Sequence, residues 1–169
     1  MTKLDTNVLW VVRHAAAEHT FGVPDFDRAL RPKGRRQAER MQRWLPTQPD
    51  PPDLVVSSAA RRASETAQSV VRGFGLPDDN LVTNRELYGA SPGTLIDALR
   101  RLPPGTGNIA LVGHNPGVSD LVGVLIGSSI RDLPTCGIAV LACPAPWKDL
   151  LPGSAELTLV AASDTVLER

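Results

Sequence analysis

The 169-residue chain has few cysteines and few aromatic residues. Its two cysteines, Cys136 and Cys143, are too few and too poorly spaced to form a structural zinc site or a disulfide framework. We therefore expect both thiols to lie in or near the core of a protein that works in a reducing cytoplasm. Aromatic residues make up 4% of the chain and show no spacing that suggests stacked nucleobases.

The chain also lacks a net charge and a long apolar run. Eighteen Lys and Arg residues balance eighteen Asp and Glu residues, which argues against a nucleic-acid binder or a polybasic membrane protein. No segment approaches the ~18 consecutive apolar residues of a membrane span, and the polar start has no signal-peptide core. We expect one cytoplasmic domain over residues 1–169, in which residues 1–7 form a poorly ordered lead.

Lysine is scarce: the cations are 3 Lys and 15 Arg. Seven of them fall between Arg28 and Arg43, where Glu39 is the only acid. A guanidinium group matches the oxygens of phosphate and carboxylate, so this basic stretch can help to dock an acidic partner. For most of the arginines, however, codon usage is a sufficient explanation.

Short β-branched runs alternate with longer segments of helical periodicity. The predicted strands are residues 8–12, 54–57, 81–83, 109–112, 137–142 and 156–162, and the predicted helices are 32–45, 60–74 and 118–126. Continuous apolar strands are typical of a parallel sheet covered on both faces. We predict a three-layer α/β/α sandwich whose sheet is mainly parallel, with an antiparallel strand near the C-terminus.

Three predicted strands end in basic or imidazole groups. These are Arg13 and His14, Arg61 and Arg62, and His114. The carboxyl ends of parallel strands share one edge of a sheet, so we expect these side chains to converge. Two histidines and two arginines suit a dianionic phosphoryl group, with guanidinium forks as clamps and one imidazole as nucleophile. A metal site is the weaker alternative, because the neighbouring arginines oppose a cation.

The residues around these strand ends suggest how the groups are held. Asn115 and Pro116 are suited to the N-cap and first position of a helix, whose positive end would lie beside His114. Ser58 is suited to cap helix 60–74. Arg62 and Thr66 lie four residues apart on one face of that helix, which aims Arg62 along the sheet edge.

Three segments, in this order along the chain, resemble motifs of the histidine phosphatase superfamily, also called the phosphoglycerate mutase-like fold. They are Val11-Val12-Arg13-His14-Ala15, the stretch from Ser57-Ser58-Ala59-Ala60-Arg61-Arg62 to Thr66-Ala67, and Gly113-His114-Asn115-Pro116. The resemblance spans residues 8–140. Ala15 and Ala59 differ from the Gly and Pro usual in the mutases. The short chain and the stretches 27–34 and 86–89 are instead similar to the small SixA-like phosphohistidine phosphatases.

The resemblance implies roles for individual residues. His14 would be the nucleophile that becomes phosphorylated, Arg13 and Arg62 would clamp the phosphoryl oxygens, and His114 would complete the pocket. Arg62, rather than Arg61, is in register with Ser58 and Thr66. We also place Ser58 and Asn115 among the substrate-binding candidates.

For several titratable residues near these motifs, the sequence allows both a functional and a purely structural role. Glu86 lies roughly where larger relatives carry a proton donor, but it is equally suited to be a solvated loop carboxylate. His19 is expected to be a solvated loop residue, with contact at the pocket rim as the alternative. We expect Asp25 and Asp27 to pair with Arg28 or Arg31 rather than to act chemically.

We predict a phosphatase that needs neither a metal nor a cofactor and transfers a phosphoryl group to water through phosphohistidine at His14. Since no long insertion is available as a lid, we expect the substrate to be a phosphohistidine on a signalling protein. The first alternative is a broad phosphomonoesterase acting on a small metabolite. The second is a phosphate-binding module without turnover. Nucleic-acid and membrane partners are not expected, and the sequence leaves the oligomeric state open.

Overall fold

A computed structural model of the protein describes residues 6–164. The strands are β1 (Thr6–Arg13), β2 (Leu54–Ser58), β3 (Leu81–Asn84), β4 (Ile109–Gly113), β5 (Ile138–Pro144) and β6 (Glu156–Ala161). The helices are α1 (Pro32–Trp44), α2 (Arg61–Gly73), α3 (Pro92–Arg100) and α4 (Gly117–Ile126). The lead expected over residues 1–7 falls outside the described residues except for Thr6 and Asn7, which begin β1.

The six strands form one sheet in the order β3-β2-β4-β1-β5-β6. β3, β2, β4 and β1 run parallel to one another. β5 runs antiparallel to both β1 and β6. The predicted mainly parallel sheet with an antiparallel strand near the C-terminus is therefore confirmed, and β1 occupies an interior position between β4 and β5.

Helices cover both faces of the sheet and divide the core in two. On one face, α1 and α2 contribute residues such as Met41 and Val70 to a cluster that includes Trp10 and Val12 of β1. On the other face, α3 and α4 pack against Leu9 and Val11 of the same strand. Successive side chains of a strand point to opposite faces, so β1 supplies both halves of the core. This arrangement confirms the predicted three layers.

The sequence prediction did not include α3. This helix begins with clear local signals, since the Ser91 hydroxyl accepts a hydrogen bond from the Thr94 amide and Pro92 occupies the first turn. It is only nine residues long, however, and its buried residues are Leu95, Ile96 and Leu99. No helix within residues 6–164 is long and apolar enough to cross a membrane.

A glycine lets α1 approach the segment that follows β1. A Cβ atom on residue 34 would overlap the carbonyl oxygen of Ala16. Ala16 lies two residues after His14, and its amide donates to the buried Gln37 side chain of α1 at 2.9 Å. This contact fixes the distance between the helix and the turn that carries His14.

Replacing Gly34 by Ala is expected to lower the free energy of unfolding by about 2–4 kcal/mol, because backbone would have to move to remove the overlap. Gly93 of α3 is the matched control, since its added Cβ would meet only the Ser91 hydroxyl at 3.9 Å. Gly93→Ala should change stability by less than about 1 kcal/mol. Urea unfolding of both variants measures the difference, and equal stabilities would contradict the close approach.

Candidate active site

The strand ends converge as predicted. β1 ends at Arg13, β2 at Ser58 and β4 at Gly113, at one edge of the sheet. A cleft of about 290 Å³ lies there, lined by Arg13, His14, Ala16, Ala17, His19, Arg28, Arg31, Arg62, His114, Asn115 and Thr135. Both predicted histidines and both predicted arginines belong to this lining.

A larger cavity of about 870 Å³ lies at the opposite edge, around the first residues of β1 and the residues preceding β4. Asp50 is the only acidic or basic residue among the described residues that line it. Volume alone therefore does not mark the site, and we assign chemistry to the smaller cleft, where titratable groups converge.

The His14 ring is held by its own backbone. Its Nδ1 lies 2.7 Å from the carbonyl oxygen of Ala15, and because a carbonyl only accepts, Nδ1 carries the proton. Nε2 is then the unprotonated nitrogen, and it accepts from Arg62 Nε at 3.3 Å. The Ala15 amide is in turn fixed by the Thr66 hydroxyl at 3.0 Å, and that hydroxyl donates to the Arg62 carbonyl at 2.8 Å.

Both cleft histidines are held in their neutral form. The pKa of His14 is lowered to about 4, chiefly by burial; the Ala15 hydrogen bond opposes this shift, and the cations Arg62, Arg13 and Arg28 contribute to it. Burial likewise lowers the pKa of His114 to about 3, with His14 and Arg62 contributing. Burial is the largest cause of the shift in both rings.

His114 lies beside His14, with 5.1 Å between the ring centroids. Its Nε2 is 2.7 Å from the oxygen of the Ser58 hydroxyl, and that oxygen accepts from the Ala60 amide at 3.2 Å. Within residues 6–164, the buried side-chain nitrogens without a hydrogen-bond partner are His114 Nδ1 and Arg13 Nε. Such orphaned groups are rare in proteins, and both belong to residues that line the cleft.

The Arg62 guanidinium is nearly buried and is oriented by Asp25. Arg62 Nη1 donates to the Asp25 carbonyl at 2.6 Å, and Nη2 donates to Asp25 Oδ2 at 3.0 Å. With Nε directed to His14, all three guanidinium nitrogens have a partner, and one hydrogen on each Nη remains for another acceptor. Asp25 thus holds the arginine plane against the nucleophile candidate.

Asp25 also contacts Arg28 and Tyr88. Its Oδ1 accepts from Arg28, with 2.6 Å to Nη2, and its Oδ2 accepts from the Tyr88 hydroxyl at 2.5 Å. The Tyr88 hydrogen bond and the two arginines hold the pKa of Asp25 well below its usual range, so the carboxylate stays charged. The expected Asp25–Arg28 pair is present, but the sequence did not indicate the contact with Arg62.

Two predicted caps form differently. α4 begins at Gly117 and has no side-chain cap. The Asn115 side chain instead donates to the Leu133 carbonyl at 2.9 Å and accepts from the Ser119 hydroxyl at 2.6 Å. α2 likewise has Ala60 at its N-cap and no capping side chain, because the Ser58 hydroxyl lies between the Ala60 amide and His114. Both residues nevertheless contact the site, Asn115 in the lining and Ser58 through His114.

Glu86 does not join the cleft. Its backbone amide is fixed by the Asn84 side chain at 2.8 Å, and its exposed carboxylate pairs with Arg101 at 2.8 Å. This position matches the alternative of a solvated carboxylate and gives no contact through which Glu86 would donate a proton. His19 is exposed but lies at the rim, where its Nδ1 is 3.2 Å from Arg28 Nη1.

Comparison with known proteins shows which family the chain belongs to. Residues 9–90 match the model of the histidine phosphatase superfamily (branch 1). The uncharacterized protein Rv1276c of Mycobacterium tuberculosis is 35% identical over 156 residues, which cover 86% of this chain and 96% of that protein. The chain belongs to the histidine phosphatase superfamily. Its activity is that of a phosphatase. The Arg-His motif lies within the residues that match the family model.

Solved structures place this phosphatase near the SixA-like branch. A candidate phosphohistidine phosphatase SixA from Nakamurella multipartitia has 27% identity and a TM-score of 0.78, covering 92% of this chain and 95% of its own. One from Agrobacterium tumefaciens has 28% identity and a TM-score of 0.75, covering 92% and 97%. The protein histidine phosphatase SixA complexed with tungstate has a TM-score of 0.81 at 22% identity, covering 94% and 99%, which supports the shared fold.

Tyr88 is the site residue of this phosphatase that the sequence prediction missed. Its ring packs edge-on against His114, with 5.5 Å between centroids, and its hydroxyl reaches Asp25. A weak signal was present, because Tyr88 lies four residues after the end of β3, at the same edge of the sheet where β1 ends. Asp25 had no comparable signal, since it lies in the middle of the loop between β1 and α1, far from the end of either element.

The chain has a single tyrosine, so the phenolate absorbance of the phosphatase reports on Tyr88 alone. The Asp25 carboxylate raises the pKa of Tyr88, because it stabilises the protonated hydroxyl and repels the phenolate. Ultraviolet titration should show a pKa above the ordinary value of about 10 in the wild type and a lower one in Asp25→Asn. Equal midpoints in the two proteins would contradict the Tyr88–Asp25 contact.

Nitrogen NMR of the imidazole rings tests the state of the nucleophile candidate. His14 should show the tautomer protonated on Nδ1 and remain neutral until the pH falls to about 4, because burial disfavours its charged form. His14→Gln and His114→Gln assign the signals. A His14 midpoint near the ordinary value of about 6.5, or a proton on Nε2, would contradict the geometry described above.

Proposed function

We propose that this phosphatase hydrolyses phosphohistidine on a signalling protein through a covalent phosphohistidine formed at His14. The observation that carries the proposal is the His14 ring itself. Its proton is committed to the Ala15 carbonyl, so the lone pair is on Nε2, in a cleft lined by Arg13, Arg62 and His114. Arg62 Nε donates to this lone pair at 3.3 Å, and an arriving phosphoryl group would take its place. A neutral imidazole nitrogen among cations is suited to attack a phosphoryl dianion.

In the first step, His14 Nε2 forms a bond to phosphorus while the bond from phosphorus to the substrate nitrogen breaks. The substrate ring, protonated on its other nitrogen, takes the electron pair of the broken bond and leaves as a neutral imidazole. The positive charge that develops on the His14 ring is stabilised by the Nδ1–H donated to Ala15. In the second step, water attacks phosphorus, His14 recovers its lone pair, and inorganic phosphate leaves the cleft.

The proposed clamp for the phosphoryl oxygens consists of Arg13, Arg62 and His114. In this proposal the Ser58 hydroxyl donates to His114 Nε2, so the neutral ring carries its proton on Nδ1. The orphaned Arg13 Nε and His114 Nδ1 then support the clamp, since a bound anion would supply the acceptors that these buried nitrogens lack. Each Nη of Arg62 retains one uncommitted hydrogen in the same cleft. With this concentration of guanidinium charge, the proposed reaction stabilises phosphoryl charge through protein cations and uses no metal ion.

The leaving group favours phosphohistidine over an ester. A phosphohistidine ring can be protonated on its second nitrogen by solvent before cleavage and then leaves as a neutral imidazole, whereas an alkoxide needs a proton donor at the moment of cleavage. The carboxylate expected to donate, Glu86, is paired with Arg101 away from the cleft, and Asp25 is held charged by Arg62, Arg28 and Tyr88. A substrate that needs little acid catalysis suits this arrangement.

The shape of the site and the relatives support a protein substrate. His19 and Arg31 line the cleft and are exposed to solvent, so its mouth admits a bulky phosphorylated side chain. The similar proteins from Nakamurella and Agrobacterium are named as SixA phosphohistidine phosphatases. The free, buried thiols Cys136 and Cys143 are consistent with the reducing cytoplasm that we propose as its location.

Replacing His14 by Ala should lower turnover by at least about a thousandfold and abolish covalent labelling by phosphorylated substrate, because the attacking nitrogen is lost. Acid-quenched protein separated from free phosphate measures the label. His19→Ala is the matched control, since it removes a histidine of the same cleft without touching Nε2 of His14. Hydrolysis or labelling retained by the His14 variant would overturn the nucleophile assignment.

Rates on different phosphorylated compounds test the substrate class. We expect kcat/KM for a histidine-phosphorylated carrier protein to exceed that for a panel of sugar and nucleotide phosphates. A strong preference for one small ester would establish the alternative of a metabolite phosphomonoesterase. Tight binding of inorganic phosphate without any labelling of His14 would establish a binding module instead.

A further inference from the structure

The loop that joins β1 to α1 carries an exposed apolar tip beside the cleft. The side chain of Phe21 is fully exposed, with a relative accessibility of 103%, and Val23 is 39% exposed. Pro24, next in the chain, is exposed as well. A phenyl ring left in water forgoes the stabilisation that burial would provide, and here Val23 and Pro24, which follow Gly22, add further exposed apolar surface. We call residues 21–24 the tip segment.

The tip segment is held in place by hydrogen bonds at the base of the loop. Ala17 and Leu30 form an antiparallel bridge, and the Glu18 amide donates to the Ala29 carbonyl at 2.8 Å. Arg28 Nη1 closes the base further by donating to the Glu18 carbonyl at 2.9 Å. The loop therefore projects the tip segment from a fixed foundation.

Both flanks of the tip segment reach the site. On one side, His19 lies in the lining of the cleft. On the other side, Asp25 immediately follows the tip segment and holds the Arg62 guanidinium. A molecule that touches Phe21 while its phosphoryl group enters the cleft would thus extend beyond the cleft itself, which measures about 290 Å³.

The surface around the same mouth is basic. Arg28 and Arg31 line the cleft, and Lys33, Arg35 and Arg36 are exposed at the start of α1. The nearby Asp25 carboxylate is already engaged by Arg28 and Arg62. An acidic surface is the electrostatic complement of this region, and a protein can present such a surface together with an apolar patch.

We propose that Phe21 and Val23 form a docking contact for the protein substrate, a folded phosphoprotein with an apolar patch and acidic residues around its phosphorylated histidine. This inference rests on the proposed function and adds to it the surface by which the partner is recognised. Aromatic side chains that become buried at an interface carry a large share of its binding energy. A small phosphorylated compound held within the cleft would not use this contact.

The test compares Phe21→Ser with wild type on two substrates. For a histidine-phosphorylated carrier protein, prepared with phosphoramidate, kcat/KM should fall about tenfold. For p-nitrophenyl phosphate, kcat/KM should stay within about twofold, because Phe21 touches neither the cleft nor the core. Phe21→Trp, which keeps an apolar ring at the tip segment, should retain the wild-type rate on the carrier protein.

Leu151→Ser is the matched control. Leu151 is 58% exposed and lies between β5 and β6, in the connection that follows the end of β5 away from the cleft. It should leave both rates unchanged. A wild-type rate of Phe21→Ser on the carrier protein would overturn the docking contact and leave the proposed function intact. If wild type hydrolyses p-nitrophenyl phosphate but not the carrier protein, both the substrate proposal and the docking contact are overturned.

Discussion

The hydrogen bond from His14 Nδ1 to the carbonyl oxygen of its neighbour Ala15 is the constraint on which the site depends. It selects the tautomer, and thereby decides which ring nitrogen keeps a lone pair in the cleft. The Thr66 hydroxyl fixes the same peptide from the other side by accepting from the Ala15 amide. A single turn of backbone after β1, supported by α2, thus sets the direction of the imidazole.

The charges around that imidazole are mostly positive and are partly compensated by one carboxylate. Arg13, Arg28 and Arg62 contribute three cations near a ring that burial keeps neutral, and Asp25 contributes one carboxylate that joins two of these arginines. The cleft therefore keeps a positive excess while the Arg62 guanidinium is already oriented. Such preorganisation lowers the cost of ordering an arginine when an anion arrives.

Much of this site could be predicted from the sequence because of one topological rule. His14 and His114 follow parallel strands, and the carboxyl ends of parallel strands must meet, so their proximity did not require knowledge of the packing. The register with Ser58 and Thr66 in the family motif likewise selected Arg62 rather than Arg61. Local chemistry was less certain: the Asn115 side chain bridges the Leu133 carbonyl and the Ser119 hydroxyl instead of capping a helix, a choice made by tertiary contacts.

The loop between β1 and α1 was the least predictable part. Asp25 comes from a segment without periodicity, and only the folded chain shows that it reaches Arg62, 37 positions away. Sequence proximity favoured a pair with Arg28, which is present but is only part of the network. The short helix α3 was missed for a related reason, since its nine residues are too few for a strong periodic signal.

The interior position of β1 has a consequence for local opening. This strand is hydrogen bonded on both sides and supplies core residues to both faces of the sheet. Segments with this many contacts exchange their amide protons with solvent mainly through global unfolding. We therefore expect the strand to which the nucleophile candidate is attached to be among the slowest-exchanging segments of residues 6–164.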